Sequence, residues 1–226
     1  MSLCINNDLI WVAIPRCASY SIQTALLNSD LNIKLYSEYE RDFNLLDAND
    51  MHAHFKVNVL KNEFGNKETF CIKRDWFERW LSAFELVIDY IHRVGYKTNV
   101  PIEDIDNDYI YKVINREFVD LLYGNTIKVF DKLSNDTFDT EKYNDGMFRI
   151  MLSQNYWKLN KSCTYEFDIK EIDKLMIFIN NRYNTNITIP KLNSVPKKMK
   201  NIVIDDKLKN WIWDLFEKKY TINSVI

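Results

Sequence analysis

Three short stretches of this sequence hold side chains that can grip an anion or move a proton. Pro15-Arg16-Cys17-Ala18-Ser19-Tyr20-Ser21 offers one guanidinium and three hydroxyls in a row. Lys73-Arg74-Asp75-Trp76-Phe77-Glu78-Arg79-Trp80-Leu81-Ser82 offers two more guanidiniums and a hydroxyl. His52-Ala53-His54 contains two of the chain's 3 histidines. Guanidiniums and hydroxyls donate to phosphate or sulfate oxygens, and imidazole titrates near neutrality and can accept a proton within hydrogen-bond reach.

The elements around these residues decide whether they can act together. Leu9 to Ile14 is wholly apolar and stops at Pro15, the pattern of a strand buried on both faces. Ile22, Ala25 and Leu26 then follow at helical spacing, so Arg16 to Ser21 falls in a tight strand-to-helix loop. Unpaired N–H groups and the helix dipole favour an anion there. Ser19 or Ser21 also fits an ordinary N-cap, and Arg16 an ordinary surface residue. Thr69 to Lys73 reads as a second strand running straight into Arg74. Phe77, Trp80, Leu81, Phe84, Ile88 and Ile91 then predict one long helix ending before Gly95. Met51 to Val57 alternates weakly, as an edge strand followed by a helical turn would. Alternation would put His52 and His54 on one face, directed at a common site or merely at solvent.

Further along, Asp108 caps an expected helix that closes before Gly124. Phe148 to Trp157 reads as helical, Cys163 to Phe167 as a third strand, and Ile169 to Tyr183 as an amphipathic helix. Asp205 and Asp206 open a last helix with Leu208, Trp211, Ile212 and Leu215 on one stripe. The stretch 28–49 is polar and irregular, a loop with room for one short element, and 126–146 is polar and aperiodic. Strands separated by helices predict an α/β fold, a central parallel sheet flanked by helices, in a single domain over 1–226.

With 226 residues and a formal net charge of -2, the chain can bury a sizeable core and shows no basic excess of the kind nucleic acid requires. Cys4, Cys17, Cys71 and Cys163 are scattered without a CxxC pair, so their spacing signals neither a zinc site nor a disulfide framework. No apolar run reaches the ~20 residues that span a bilayer and no signal pattern opens the chain. The expectation is a soluble, cytoplasmic protein.

The two anion-handling stretches agree with one family. Ile14-Pro15-Arg16-Cys17-Ala18-Ser19-Tyr20-Ser21 resembles the 5'-phosphosulfate loop of sulfotransferases, Pro-Lys-x-Gly-Ser/Thr-x-Ser. Arg74-Asp75-Trp76-Phe77-Glu78-Arg79-Trp80-Leu81-Ser82-Ala83-Phe84 resembles their second signature, Arg-Asp-Pro-x-x-Arg-x-x-Ser-Ala-Tyr. The two occur in the family's order, and Gln154, the Tyr165-Glu166-Phe167 stretch and the last helix resemble its later landmarks. This resemblance implies a three-layer, P-loop NTPase-like sulfotransferase fold. It also implies 3'-phosphoadenosine 5'-phosphosulfate as donor, adenosine 3',5'-bisphosphate as product, and no metal. Arg16, Cys17, Ala18, Ser19, Tyr20 and Ser21 would surround the 5'-phosphate, with Arg16 in the catalytic lysine's place. Arg74 and Ser82 would hold the 3'-phosphate. His52-Ala53-His54 resembles the His-x-His segment of heparan sulfate and uronyl 2-O-sulfotransferases, which makes His54 the expected base, His52 its assistant, and a glycan hydroxyl the expected acceptor.

Three positions depart from the pattern: Arg16 for lysine, Ala18 for glycine and Trp76 for proline. The first two bear on catalytic rate more than on donor binding. A nucleotide kinase would share the strand-loop-helix start, but GxxxxGK[ST] is absent. A non-catalytic nucleotide or sulfated-glycan binding module on the same fold is the other alternative.

Overall fold

The computed structural model describes residues 2–35, 57–93, 104–115, 150–159, 163–190 and 202–218. His52 and His54, the 126–146 stretch, and Lys197, Lys198 and Lys200 lie outside them.

The chain begins with a hairpin. Strands β1 (Leu3–Ile5) and β2 (Leu9–Val12) pair antiparallel, with Ile5 opposite Leu9. The connection turns through Asn6 and Asn7, at φ 46° and 58°, and the Asp8 N–H donates to the Ile5 carbonyl at 3.0 Å. Asparagine tolerates this left-handed region better than other residues with a Cβ. Helix α1 (Ser19–Leu27) leads to β3 (Ile33–Leu35), which pairs antiparallel with β1. Helix α2 (Val57–Phe64) leads to β4 (Glu68–Lys73), which pairs parallel with β2. The long helix α3 (Trp76–Arg93) and α4 (Asn107–Asn115) follow. A short helix α5 (Gln154–Lys158) then precedes β5 (Tyr165–Asp168), parallel to β4. Helices α6 (Ile172–Tyr183) and α7 (Asp206–Trp213) complete the order, and a turn of π-helix over Asp214–Lys218 extends the last one.

The five strands lie in the order β3-β1-β2-β4-β5. The expected central parallel sheet is therefore corrected to a mixed one, in which β1 alone runs against the others. The cause is local: a two-asparagine turn folds β1 directly back on β2, and a connection that short can only join antiparallel strands. The one short element that 28–49 had room for is β3. Other expectations shift. Val57 begins a helix rather than closing a strand. The cap of α4 is Asp106, whose carboxylate accepts from the Tyr109 N–H at 2.7 Å, not Asp108. Of the expected 148–157 helix, the described part begins at residue 150 and is helical from Gln154 onward.

Every residue of β1 and β2 is buried, so both faces of the sheet are covered. Trp11 and Phe70, opposite one another on β2 and β4, stack at 6.2 Å between ring centroids. The sheet core also takes Ile22 and Leu26 of α1, Leu60 of α2, Trp157 of α5, and Leu175 and Ile179 of α6. A second core forms among helices, from Trp80, Phe84 and Ile88 of α3, Ile110 of α4, and Leu208 and Ile212 of α7, with Phe216 beyond. Among the described residues, no helix is long and apolar enough to cross a membrane.

Phe70→Ala would leave a void against Trp11 in the middle of this sheet. Denaturant unfolding is expected to show a loss of about 3–5 kcal/mol.

Candidate functional site

Strands β2 and β4 are adjacent and parallel, so the loops leaving their carboxyl ends emerge side by side. The chain leaves β2 for β3 on one side of the sheet and leaves β4 for β5 on the other. The winding thus reverses between β2 and β4, and in open α/β sheets such a reversal opens the crevice where ligands bind. Arg16 follows β2 and Arg74 follows β4.

The first loop is tightly shaped. The Cys17 N–H closes a turn onto the Ile14 carbonyl at 3.3 Å. Arg16 and Ala18 hold φ at 64° and 58°, while Cys17 between them stays at negative φ. Alternation of hand in successive residues is the kind of backbone from which anion-binding nests are built, here with the Cys17 N–H already given to the Ile14 carbonyl. Ala18 then caps α1 without a side-chain bond, and the first turn of α1 carries no acidic residue, which leaves the dipole's positive end uncompensated by a carboxylate. Ser19 is half-buried, Tyr20 is 53% exposed and Ser21 is buried. Burial pushes the Cys17 thiol up to about 12, so it is no nucleophile near neutral pH.

The second loop is braced at both ends. The Asp75 carboxylate caps α3, accepting from the N–H groups of Phe77 and Glu78 at 3.1 and 2.9 Å. Gln154 clamps the backbone of Arg74 by two hydrogen bonds. Its Oε1 accepts from the Arg74 N–H at 2.9 Å, and its Nε2 donates to the Arg74 carbonyl at 2.6 Å. The same Oε1 accepts from the Cys17 thiol at 3.8 Å, so one amide ties both loops.

The loops also meet directly. Arg16 donates from Nε and Nη2 to Ser82 Oγ at 3.1 and 3.0 Å, reaching across to the second turn of α3. Arg74 donates from Nη1 to the Arg16 carbonyl at 3.5 Å and pairs with Glu78 at 3.4 Å. Burial, reinforced by the Arg74 charge, holds the Arg16 guanidinium below its ordinary value. Two partly buried guanidiniums on adjoining loops, one depressing the other, fit a site that receives an anion. Arg16, Arg74 and Ser82, separated in sequence, thus converge, with Ser82 engaged by Arg16 rather than by Arg74. The structure places Cys17 and Ser21 in buried surroundings, which leaves Ser19 and Tyr20 as the more open side chains of the loop.

Arg79 serves a different purpose. It is 0% exposed and donates to the carbonyls of Ile150, Met151 and Leu152 at 2.9, 3.1 and 2.7 Å, the three residues before Ser153 and Gln154. Its second partner is Glu217, at 3.6 Å, which also accepts from the Ser153 hydroxyl. Burial raises the Glu217 carboxyl despite Arg79 and lowers the Arg79 guanidinium despite Glu217. Gln154 thus acts on backbone and Arg79 as an ion-pair partner. Nothing local in the sequence marks out Glu217: only the needs of Arg79, across the fold, give it a role.

No protein-family model, curated protein or solved structure matches the chain.

Two outcomes follow from the buried pair. Arg79→Met strands Glu217 and releases the 150–152 carbonyls, at an expected cost of about 3–5 kcal/mol by denaturant titration. Glu217 has a folded pKa above its unfolded 4.5, so its contribution is complete below pH 4.5 and is lost as pH rises through the folded value. Glu217→Gln should flatten that decline in a series of unfolding curves between acid and neutral pH.

Proposed function

We propose that this protein is a sulfotransferase that uses 3'-phosphoadenosine 5'-phosphosulfate as donor and a hydroxyl, in the first place of a carbohydrate, as acceptor. One observation supports the reading: two separate strand-to-helix loops, each resembling a donor-binding signature and in the family's order, adjoin at the sheet's winding reversal and are joined by Arg16 to Ser82 and Arg74 to Arg16 contacts. The P-loop-like sulfotransferase arrangement belongs to this proposal, and so do the roles below.

The acceptor oxygen attacks sulfur in line with the leaving phosphate. A new S–O bond forms, the S–O bond to the 5'-phosphate breaks with its electron pair left on phosphate, and adenosine 3',5'-bisphosphate departs. The acceptor's proton passes to His54, with His52 assisting. Charge grows on the leaving phosphate, so a guanidinium and N–H groups fixed there stabilise the transition state beyond the ground state. Arg16 and the Ser19 end of α1 would supply them. Arg74 and Ser82 would hold the 3'-phosphate, Ser82 once Arg16 has exchanged its hydroxyl for the donor.

The engagement of Arg16 by Ser82 through two nitrogens also favours a second reading, a nucleotide-binding module that does not turn over. A thermal-shift titration with adenosine 3',5'-bisphosphate followed by a labelled-donor screen over glycans, peptides and small alcohols separates the two. Ligand at about 100 times its dissociation constant should stabilise the protein by ~2.7 kcal/mol, and Arg74→Ala should abolish the shift. His54→Ala should retain the shift and lose transfer. No shift in the wild type rejects both readings, and a shift without transfer to any acceptor selects the module.

A further inference from the structure

Cys71 and Cys163 carry no metal-binding spacing in the sequence, yet the fold brings them together. Cys71 is at the centre of β4 and Cys163 stands just before β5, the neighbouring strand. Their Sγ atoms and a carboxylate oxygen of Glu166 all lie within 4.8 Å of one another. Both thiols are buried. Two donors about 2.3 Å from one ion are at most about 4.6 Å apart, so small side-chain rotations bring the three onto a single ion.

We propose that Cys71, Cys163 and Glu166 bind one borderline-soft divalent cation of the zinc class, with a water completing a tetrahedral set. Softness of the two sulfurs selects against magnesium and calcium, which take oxygen ligands. Glu166 already accepts from Lys158 Nζ through Oε1 and from Lys73 Nζ through Oε2, both at 2.8 Å. The Cys163 N–H also donates to Oε1, at 3.2 Å. A carboxylate offers about four lone-pair sites, so one remains for the metal, and the lysines orient the group as outer-shell partners do.

Charge also favours the exchange. On binding, each thiol gives its proton to solvent and each sulfur forms one bond to the metal, so a dication replaces two protons. The net charge of the cluster with Lys73, Lys158 and Glu166 does not change, and no uncompensated charge enters the interior. A purely apolar thiol pair would need neither a carboxylate nor two ammonium groups beside it. The ion would pin β4, the approach to β5 and, through Lys158, helix α5. Those elements carry Arg74 and Gln154, but the site involves none of the anion-handling residues and stands independently of the proposed activity.

The test uses the full chain, reduced with a phosphine, stripped with a chelator and titrated with cobalt(II). A tetrahedral thiolate-to-cobalt absorption should saturate at about one ion per chain, release about two protons in weak buffer and vanish when zinc is added. It should persist in Cys4→Ser and be lost in Cys163→Ser. Glu166→Gln, a near-isosteric change outside the sheet centre, should weaken zinc by at least about tenfold and keeps the test decisive if cysteine variants fail to fold. Absence of the band in folded wild type, or its survival in Cys163→Ser, overturns the site. So does a protein in which peroxide joins Cys71 to Cys163 while cobalt gives no thiolate band, because the pair would then be a redox couple.

Discussion

The buried guanidinium of Arg79 is the constraint on which the rest depends. A charge removed from water must find fixed partners, and here it finds three consecutive carbonyls and one carboxylate. The three carbonyls belong to the turn that delivers Gln154, and Gln154 in turn fixes the backbone of Arg74 and touches Cys17. The far end of the last helix therefore reaches the two loops through three successive contacts, Glu217 to Arg79, Arg79 to the 150–152 carbonyls, and Gln154 to Arg74. A well-packed apolar replacement can match such a pair in stability, but it would not specify where the 150–152 turn sits.

The sheet supplies the other half of the design. Parallel pairing of β2 with β4 puts two loop cations on the same edge, and the reversal of winding between them leaves that edge uncovered by a crossover. Two guanidiniums then share a partly buried space with one hydroxyl between the loops. An anion placed there would offset the repulsion by which Arg74 lowers the Arg16 guanidinium, and differential stabilisation of this kind is what a binding site needs.

Much of this was legible from the residues. The apolar run ending at Pro15, the short β-rich run ending at Lys73, and the long apolar stripe from Phe77 gave β2, β4 and α3 because each has a strong period and a clear stop. The family resemblance paired Ser82 with Arg74; its engagement by Arg16 instead is a contact between distant segments that neither the resemblance nor the spacing signals. Strand β1 escaped notice and β3 went unassigned as a strand because three residues carry too little periodicity, and the Asn6-Asn7 turn is a weaker signal than Asn-Gly. The α4 cap fell on Asp106 because Asp104, Asp106 and Asp108 are all plausible and only tertiary packing selects one. Glu217 and the Cys71, Cys163 and Glu166 group depend on contacts between distant segments, which no local pattern encodes.

The left-handed backbone at Arg16 and Ala18 has one more consequence. Each such residue bearing a Cβ costs about 1–2 kcal/mol that glycine would not, yet alanine also narrows the conformations open to the chain before it folds. A loop turned through arginine and alanine in this region is therefore stiff, its shape fixed at the expense of stability. An incoming anion would spend little on ordering the loop, so its capture would be governed by diffusion and charge rather than by a slow closing motion.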